Sequence, residues 1–296
     1  MDIRSLQLFV ALAEELHFGR AAQFCHVSPS AATRTLQRLE AEVGATLLER
    51  DKRRVVLTRS GHEFLAYARD ALQRWREVQS QLDSRHANPR GQLRLYCSVT
   101  AAYTVLATIL PDVRSRYPDI EIHLSTGDQA DALRRVREAH DDMAIAAHSG
   151  ELPDGIAFHS LRYSPLVCIG PVIACQVRDQ LVAGQALAWD SVPLILPESG
   201  LVRSRLEQWF RQAQLVPRIY AYVRGHEAIV ALVALGFGVA VVPQIVIENS
   251  PLRAQIAIHS PGPELTPFNI GLIARRSRLQ DPLVRVVWEL AAAMKR

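Results

Sequence analysis

The chain has 296 residues, 49% of them hydrophobic and 22% charged, with a net charge of +4, which is room for two or three compact domains of ordinary globular composition. The apolar stretch Leu8 to Ala13 is too short for a signal sequence and has acids directly behind it. The longest apolar run, Ala228 to Pro243, is broken by two glycines and falls short of the roughly 20 residues of a membrane helix, so neither export nor membrane insertion is expected.

The four cysteines (Cys25, Cys97, Cys168, Cys175) lie far apart with no CxxC pair, which points to no zinc site and no disulfide framework and fits a reducing cytoplasm. Leu6, Phe9, Val10, Ala13 and Leu16 recur at steps of three and four and predict an amphipathic helix over 3–16. A second, short helix follows over 19–24, whose Ala21 and Ala22 let another helix cross closely, and then a tight turn at His26 and Val27. Ser28 is a natural N-cap with Pro29 at the first helical position, where a missing N–H costs nothing. The third helix therefore starts at Pro29 and ends at Gly44.

Ala32, Leu36, Leu39 and Val43 fall within about 60° of one another on this helix, while Ser30, Thr33, Arg34 and Gln37 fall on the opposite side. Two helices joined by a short turn, the second greasy behind and hydrogen-bonding in front, describe a helix-turn-helix whose recognition helix enters a major groove. Arg34 suits guanine O6 and N7, Gln37 suits adenine N6 and N7, and Thr33 offers a hydroxyl and a methyl to a base edge, with Arg38 beside them. Ser28, Pro29 and Ser30, at the positive helix start, are placed against a backbone phosphate. From Arg20 to Gly61 eight basic residues stand against four acidic ones, a surplus equal to the whole net charge and the footprint of a polyanion. A merely solvated helix in a bundle would leave the coincidence of caps, alanine pair and basic surplus without a reason.

Residues 47–58 read as two short strands around a charged turn, a wing whose Lys52, Arg53 and Arg54 lie along phosphates and position without specifying. Over 61–84 Ala68, Trp75 and Leu82 keep a seven-residue interval and Leu65 and Leu72 the interleaved one, which predicts a coiled-coil seam and hence a dimer presenting two winged heads to two half-sites. Gln79 interrupts the seam, either fixing register or marking a frayed end.

The stretch "HFGRAAQFCHVSPSAATRTLQRLEAEVGATLLERDKRRVVLTRSG" resembles the DNA-binding head of the LysR-type transcriptional regulators, and the long helix and remaining length match as well. Leu48 stands where the family usually has Phe, and Gly19 where it commonly has Ser or Thr; the first alters packing under the wing and the second removes a possible phosphate-contacting hydroxyl.

"HANPRG", residues 86–91, is a polar hinge and domain boundary. Beyond it strands are expected at 92–97, 120–125, 143–147, 166–170, 194–196, 218–223, 239–242 and 269–274, with helices over 102–116, 128–139, 202–213, 227–235 and 281–294, a doubly wound, largely parallel layout. The expected architecture is thus an α+β winged helix-turn-helix (1–60), a dimerisation linker helix and hinge (61–90) and an α/β effector domain (91–296). The resemblance implies that the last is two-lobed and similar to periplasmic binding proteins, with the chain's end returning to the first lobe (91–162 and 268–296) and residues 163–267 forming the second.

Ligands in open α/β sheets sit beyond the carboxyl ends of strands, against helix starts. Candidate junctions are Ser98 to Ala102, where Ser98, Thr100, Ala101 and free backbone N–H groups receive a carboxylate; Asp128; Arg203 after Pro197 to Gly200; and His226 with Glu227. Each has a plain reading as a helix cap. The stretches "LYCSVTAAY", "LSTGDQADAL", "VRSRLEQWFR" and "GHEAIVALVALGFGVAVVP" resemble one branch of the family, which controls acetohydroxy acid isomeroreductase expression in branched-chain amino acid synthesis. That resemblance implies an activator whose inducers are acetolactate or acetohydroxybutyrate. In this reading Thr100 and its neighbours hold the carboxylate while Asp128, His226 or Arg203 address the hydroxyl and ketone.

No catalytic constellation competes. Gly236-Phe237-Gly238 lacks the third glycine of a dinucleotide loop and lies between helix and strand in the wrong order, and there is no HExxH or GxSxG. The chain is read as a non-enzymatic, cytoplasmic homodimer or homotetramer that needs no cofactor, bends promoter DNA, answers a small effector and possesses a surface for RNA polymerase. The alternative is a two-lobed solute-binding protein with no DNA role.

Overall fold

The computed structural model describes residues 1–50, 55–83, 89–148, 152–181, 185–260 and 262–294, and for residues 50, 76, 77 and 80–83 the backbone alone. The chain divides into two compact units, one built on residues 1–87 and the other carrying most of the remainder.

In the first unit, Asp2 caps α1 (Ile3–Glu15) by accepting from the Ser5 amide at 2.7 Å, and Leu16 ends it in the left-handed conformation, φ 47°. Helix α2 (Phe18–Phe24) begins one residue earlier than expected, because His17 Nδ1 accepts from the Arg20 amide and supplies an N-cap. Helix α3 (Pro29–Val43) has the expected ends: Ser28 Oγ accepts from the Ala31 amide at 3.2 Å, and Gly44 takes φ 76° at the other. Ala32, Leu36 and Leu39 are buried against α1 and α2, but Val43, expected in the same stripe, is 38% exposed because the core of the head stops short of the last turn.

Strands β1 (Leu48–Arg50) and β2 (Val55–Leu57) pair antiparallel as the wing, with Leu48 opposite Leu57. Its root is tied to α3: Glu40 Oε1 accepts from the amides of Leu47 (2.8 Å) and Leu48 (3.2 Å). Leu48, smaller than the usual Phe, is fully buried under the wing. The wing tip, with Lys52, Arg53 and Arg54, lies outside the described residues.

Helix α4 (Arg59–Asp83) is the expected long helix, but its apolar seam is split. Leu65, Ala68 and Leu72 are buried in the head's own core, where α4 crosses α1 and Phe64 meets Phe9 edge to face at 5.1 Å. These three are therefore not available to a partner, a correction to the expected dimer seam with a simple cause: a three-helix head is too small to close its core, and α4 supplies the missing side. Trp75, one turn further on, is 43% exposed, as is Val78 at 45%. The side chain of Leu82 lies outside the described residues.

The second unit runs β3 (Gly91–Cys97), α5 (Val99–Ala101), a π turn (Ala102–Leu106), α6 (Ala107–Arg116), β4 (Ile120–Thr126), a 3-10 turn (Gln129–Asp131), α7 (Ala132–Arg137) and β5 (Met143–His148). It continues through β6 (Ile156–Ser164), β7 (Leu166–Pro171), α8 (Gln176–Asp179), β8 (Leu194–Pro197), α9 (Leu201–Gln212), β9 (Ile219–Val223) and α10 (His226–Ala234). The last elements are β10 (Ala240–Pro243), α11 (Gln244–Glu248), β11 (Ile256–His259), β12 (Phe268–Arg275) and α12 (Pro282–Ala293).

Five strands in the order β4-β3-β5-β12-β6 form the first lobe's sheet. Strand β3 is parallel to β4 and β5, whereas β12, arriving from the end of the chain, is antiparallel to both β5 and β6. In the second lobe β7 lies antiparallel between β10 and β11, and β8 pairs parallel with β9. The largely parallel layout expected is thus corrected to a mixed one. Strands β6 and β11 were not expected, since His159, Arg162 and His259 interrupt their apolar pattern. The chain's return to the first lobe through β12 is as the family resemblance implied. Among the described residues no helix is long and apolar enough to cross a membrane, and no group of three or more His, Cys, Asp or Glu is placed to hold a metal ion.

Candidate DNA-reading face and effector cleft

Ser28, Pro29 and Ser30 are exposed at the start of α3, and Arg34, Gln37 and Arg38 are exposed along it, while Ala32, Leu36 and Leu39 are buried. Arg34 and Gln37 make no hydrogen bond or ion pair to any described residue, so their donors point outward with nothing to release before binding. Thr33 is half-buried and donates its hydroxyl to the Pro29 carbonyl at 3.0 Å, which fixes its rotamer and leaves the oxygen lone pairs and the methyl to the outside. The hydroxyls of Ser28 and Ser30 stand 3.1 Å apart at the helix start. Arg38 differs from Arg34, because its guanidinium reaches back to Ser5 Oγ (3.2 Å) and Asp2 Oδ2 (3.4 Å) at the cap of α1. Gly19, where a hydroxyl is common in the family, sits beside the His17 imidazole that caps α2.

In the second unit a narrow cleft, with about 20 Å³ of free space, opens between the lobes, bordered by Ser98, Thr100, Ala101 and Thr104 on one side and by His226 and Val246 on the other. Its floor is apolar, from Ile145, Ala146, Phe268 and Ile270. A smaller extension shares Gln129 and His226 with it and adds Asp128, Ser199 and Gly225. Three of these residues, Thr104, Gln129 and Val246, were not singled out from the sequence, and neither was the floor; the end of β5 was readable as a strand's carboxyl end, whereas Phe268 and Ile270 reach the cleft only because β12 returns.

The donors expected to be free at the start of α5 are in fact occupied. Ser98 Oγ accepts from the Ala101 amide at 3.2 Å, and the Ser98 carbonyl takes the Ala102 amide. Thr100, 3% exposed, gives both its amide (2.9 Å) and its hydroxyl (2.6 Å) to Glu227 Oε1 of α10. Burial pushes the Glu227 carboxyl up, but the Thr100 hydroxyl and amide outweigh it and hold the group below the usual glutamate range. Gly225, at φ 86°, makes the turn that carries His226 and Glu227 across to the first lobe, and Arg224 just before it pairs with Asp131 at 2.6 Å.

His226 Nε2 is buried with no hydrogen-bond partner in the structure, and burial pulls the imidazole below its ordinary value, so it stands neutral in the cleft. Asp128 caps the 3-10 turn by accepting from the Ala130 amide at 2.9 Å, and its carbonyl receives the Tyr96 hydroxyl at 2.8 Å. Arg203 does not line the cleft, contrary to expectation. Its guanidinium is held by Glu207 at 2.7 Å and the Glu198 carbonyl at 2.6 Å and stacks over Tyr222, so the start of α9 uses it internally.

Comparison with known proteins agrees with both halves of this geometry. Residues 3–62 match the family model described as bacterial regulatory helix-turn-helix protein, lysR family, and residues 86–295 match the LysR substrate binding domain. The chain is 43% identical over 293 residues to the HTH-type transcriptional activator IlvY of Salmonella typhimurium, covering 98% of this chain and 99% of that one. It is equally similar, at 43% over 98% of each chain, to the HTH-type transcriptional regulator IlvY of Escherichia coli K12. Among solved structures, full-length CbnR in complex with its target DNA superposes with a TM-score of 0.63 at 24% identity over 99% of both chains, a likeness of fold.

Proposed function

Because the chain belongs to the LysR family of helix-turn-helix transcriptional regulators, we propose that it activates a promoter in branched-chain amino acid synthesis, reading DNA with α3 and answering acetolactate or acetohydroxybutyrate in its interlobe cleft. The observation that carries the DNA half is the bare outer side of α3. Arg34 and Gln37 stand exposed and unengaged while the opposite stripe is buried. These two read base edges; Thr33 contributes its methyl; Ser28, Ser30 and Arg38 grip phosphates, as do Lys52, Arg53 and Arg54 of the wing. Two heads carried by α4 then address two half-sites in a homodimer or dimer of dimers, a reading supported by exposed Trp75 and by the DNA complex of the similarly folded CbnR.

The effector half rests on similarity to the IlvY activators and on the lining of the cleft. The acids proposed each bear a carboxylate, a tertiary hydroxyl and a ketone. Thr100 suits the carboxylate, His226 and Asp128 suit the oxygen functions, and Ala101, Ile145 and Val246 suit a small apolar branch. Binding preferentially to one lobe arrangement changes the angle between heads and so the bend of the DNA, from which RNA polymerase recruitment follows.

The test is a footprint by the purified protein on the intergenic DNA upstream of its own gene, with and without acetolactate. Protection of an interrupted palindrome that weakens steeply with salt and shifts its boundary on adding the acid supports the proposal. Protection indifferent to acetolactate removes the effector, and no protection removes the DNA role assigned to α3.

A further inference from the structure

Thr100, on the wall of the cleft, is already bonded to a carboxylate of the protein. Glu227, at the start of α10 in the second lobe, places Oε1 2.9 Å from the Thr100 amide nitrogen and 2.6 Å from its hydroxyl in the first lobe. One amide and one hydroxyl converging on one oxygen is the donor set that a bound organic acid requires. No other described group competes for it: the Ala101 and Ala102 amides are satisfied within their own turn. Three residues of the same short stretch reach the first lobe's side of the cleft, since Arg224 pairs with Asp131 and His226 lines both parts of the open space.

We infer that Glu227 is a tethered stand-in for the effector's carboxylate: it latches the two lobes across Thr100 in the unliganded protein and must be displaced for an anionic effector to bind. The inference rests on the proposed effector reading and extends it to a mechanism. If Glu227 stayed in place, a second carboxylate at Thr100 would meet like charge at contact distance and find both donors spent. Displacement removes the repulsion and gives the binding event a mechanical consequence, because the contact given up joins one lobe to the other. The unpartnered Nε2 of His226 marks where a neutral oxygen function of the incoming acid finds its hydrogen bond. A built-in competitor also scales apparent affinity by the unlatched fraction, so weakening the latch tightens binding.

The test uses the full-length protein and Glu227→Gln, which keeps size and shape while removing the charge, with Glu227→Ala as a second variant should the first misfold. Two readouts decide it. Without ligand, hydrogen exchange of the segment 98–106 is expected to speed up about tenfold in the variant; unchanged protection overturns the latch. By calorimetric titration with acetolactate and with acetohydroxybutyrate, Glu227→Gln is expected to bind about tenfold more tightly than the native protein. Equal or weaker binding overturns the competition, and reveals Glu227 instead as a group that holds the ligand. If neither protein takes up either acid the effector assignment falls, and the exchange result still decides whether the latch exists.

Discussion

Arg278 Nη2 lies 3.1 Å from Asp142 Oδ1, and both side chains are nearly inaccessible to water. The same guanidinium holds Asp281, which caps α12, at 2.6 Å, while the other oxygen of Asp142 accepts from the Arg94 amide in β3 at 2.9 Å. Burial alone would push the Asp142 carboxyl up, yet Arg94 and Arg278 outweigh it and hold the group below the usual range. Residues 136 positions apart are thus fastened around one buried charge, where the returning end of the chain meets β3 and β5. Arg278→Met leaves Asp281 without its ion-pair partner and Asp142 with Arg94 alone, and is expected to cost about 3–5 kcal/mol of effector-domain stability. Urea denaturation followed by far-ultraviolet circular dichroism reads this as a lower midpoint; a midpoint within error of the native protein's refutes it.

His226 predicts a pH dependence. Its folded-state value is depressed from 6.5, so the unfolded chain takes up a proton that the folded chain refuses. Stability contributed by the neutral imidazole is complete above about 6.5 and is lost as pH falls from there toward the folded value. Glu227 is also depressed, from 4.5, and its contribution disappears lower, on the acid side of the usual glutamate range. Thermal melts between pH 7 and 5 are expected to show a falling Tm for the native protein and a flatter profile for His226→Gln. Parallel profiles would assign the slope to other groups.

The split seam of α4 gives two substitutions with opposite readouts. Leu72→Ala opens a cavity in the head's core and is expected to cost about 2–4 kcal/mol of head stability. Trp75→Glu touches an exposed position and is expected to leave the melt unchanged while weakening self-association, measured by sedimentation velocity across a dilution series. If Trp75→Glu melts early and stays associated, the partner surface lies elsewhere.

Helix α4 also shows where sequence reading stops. The seven-residue spacing of Ala68 and Trp75 is a correct statement about one helix, but periodicity carries no record of what the apolar stripe packs against, and three of its members close the chain's own core. Caps are more legible because their bonds are local: Ser28, Pro29 and Gly44 bound α3, and Ser98 starts the helix after β3. In the cleft, each junction named from the sequence except Arg203 lines the open space or holds a residue that does. What no local pattern contains is the pairing of Thr100 with Glu227, 127 positions apart, because it depends on where two lobes come to rest. The mixed sheet has the same origin: the antiparallel entry of β12 is decided by its neighbours β5 and β6, while its own residues say only that it is a buried strand.

On α3 the proposed DNA reading gives the two arginines different kinds of contact. Arg34 is unengaged and stands on the outer side, whereas Arg38 is tethered to Asp2 and Ser5, one turn further along. In that reading the free guanidinium aligns with a guanine edge and the tethered one meets a phosphate. Arg34→Ala is therefore expected to cost about 1–3 kcal/mol on the cognate site and to relax preference at one base position, while Arg38→Ala weakens cognate and unrelated DNA by the same factor. Gel-shift titrations on the footprinted site, on a site with single base changes and on random DNA distinguish the two. The salt slope adds an independent check, since loss of one phosphate contact lowers it by about one, and loss of a base contact leaves it less affected. Should Arg34→Ala weaken all three DNAs equally, α3 grips the backbone through Arg34 as well, and sequence selection passes to Gln37 and Thr33.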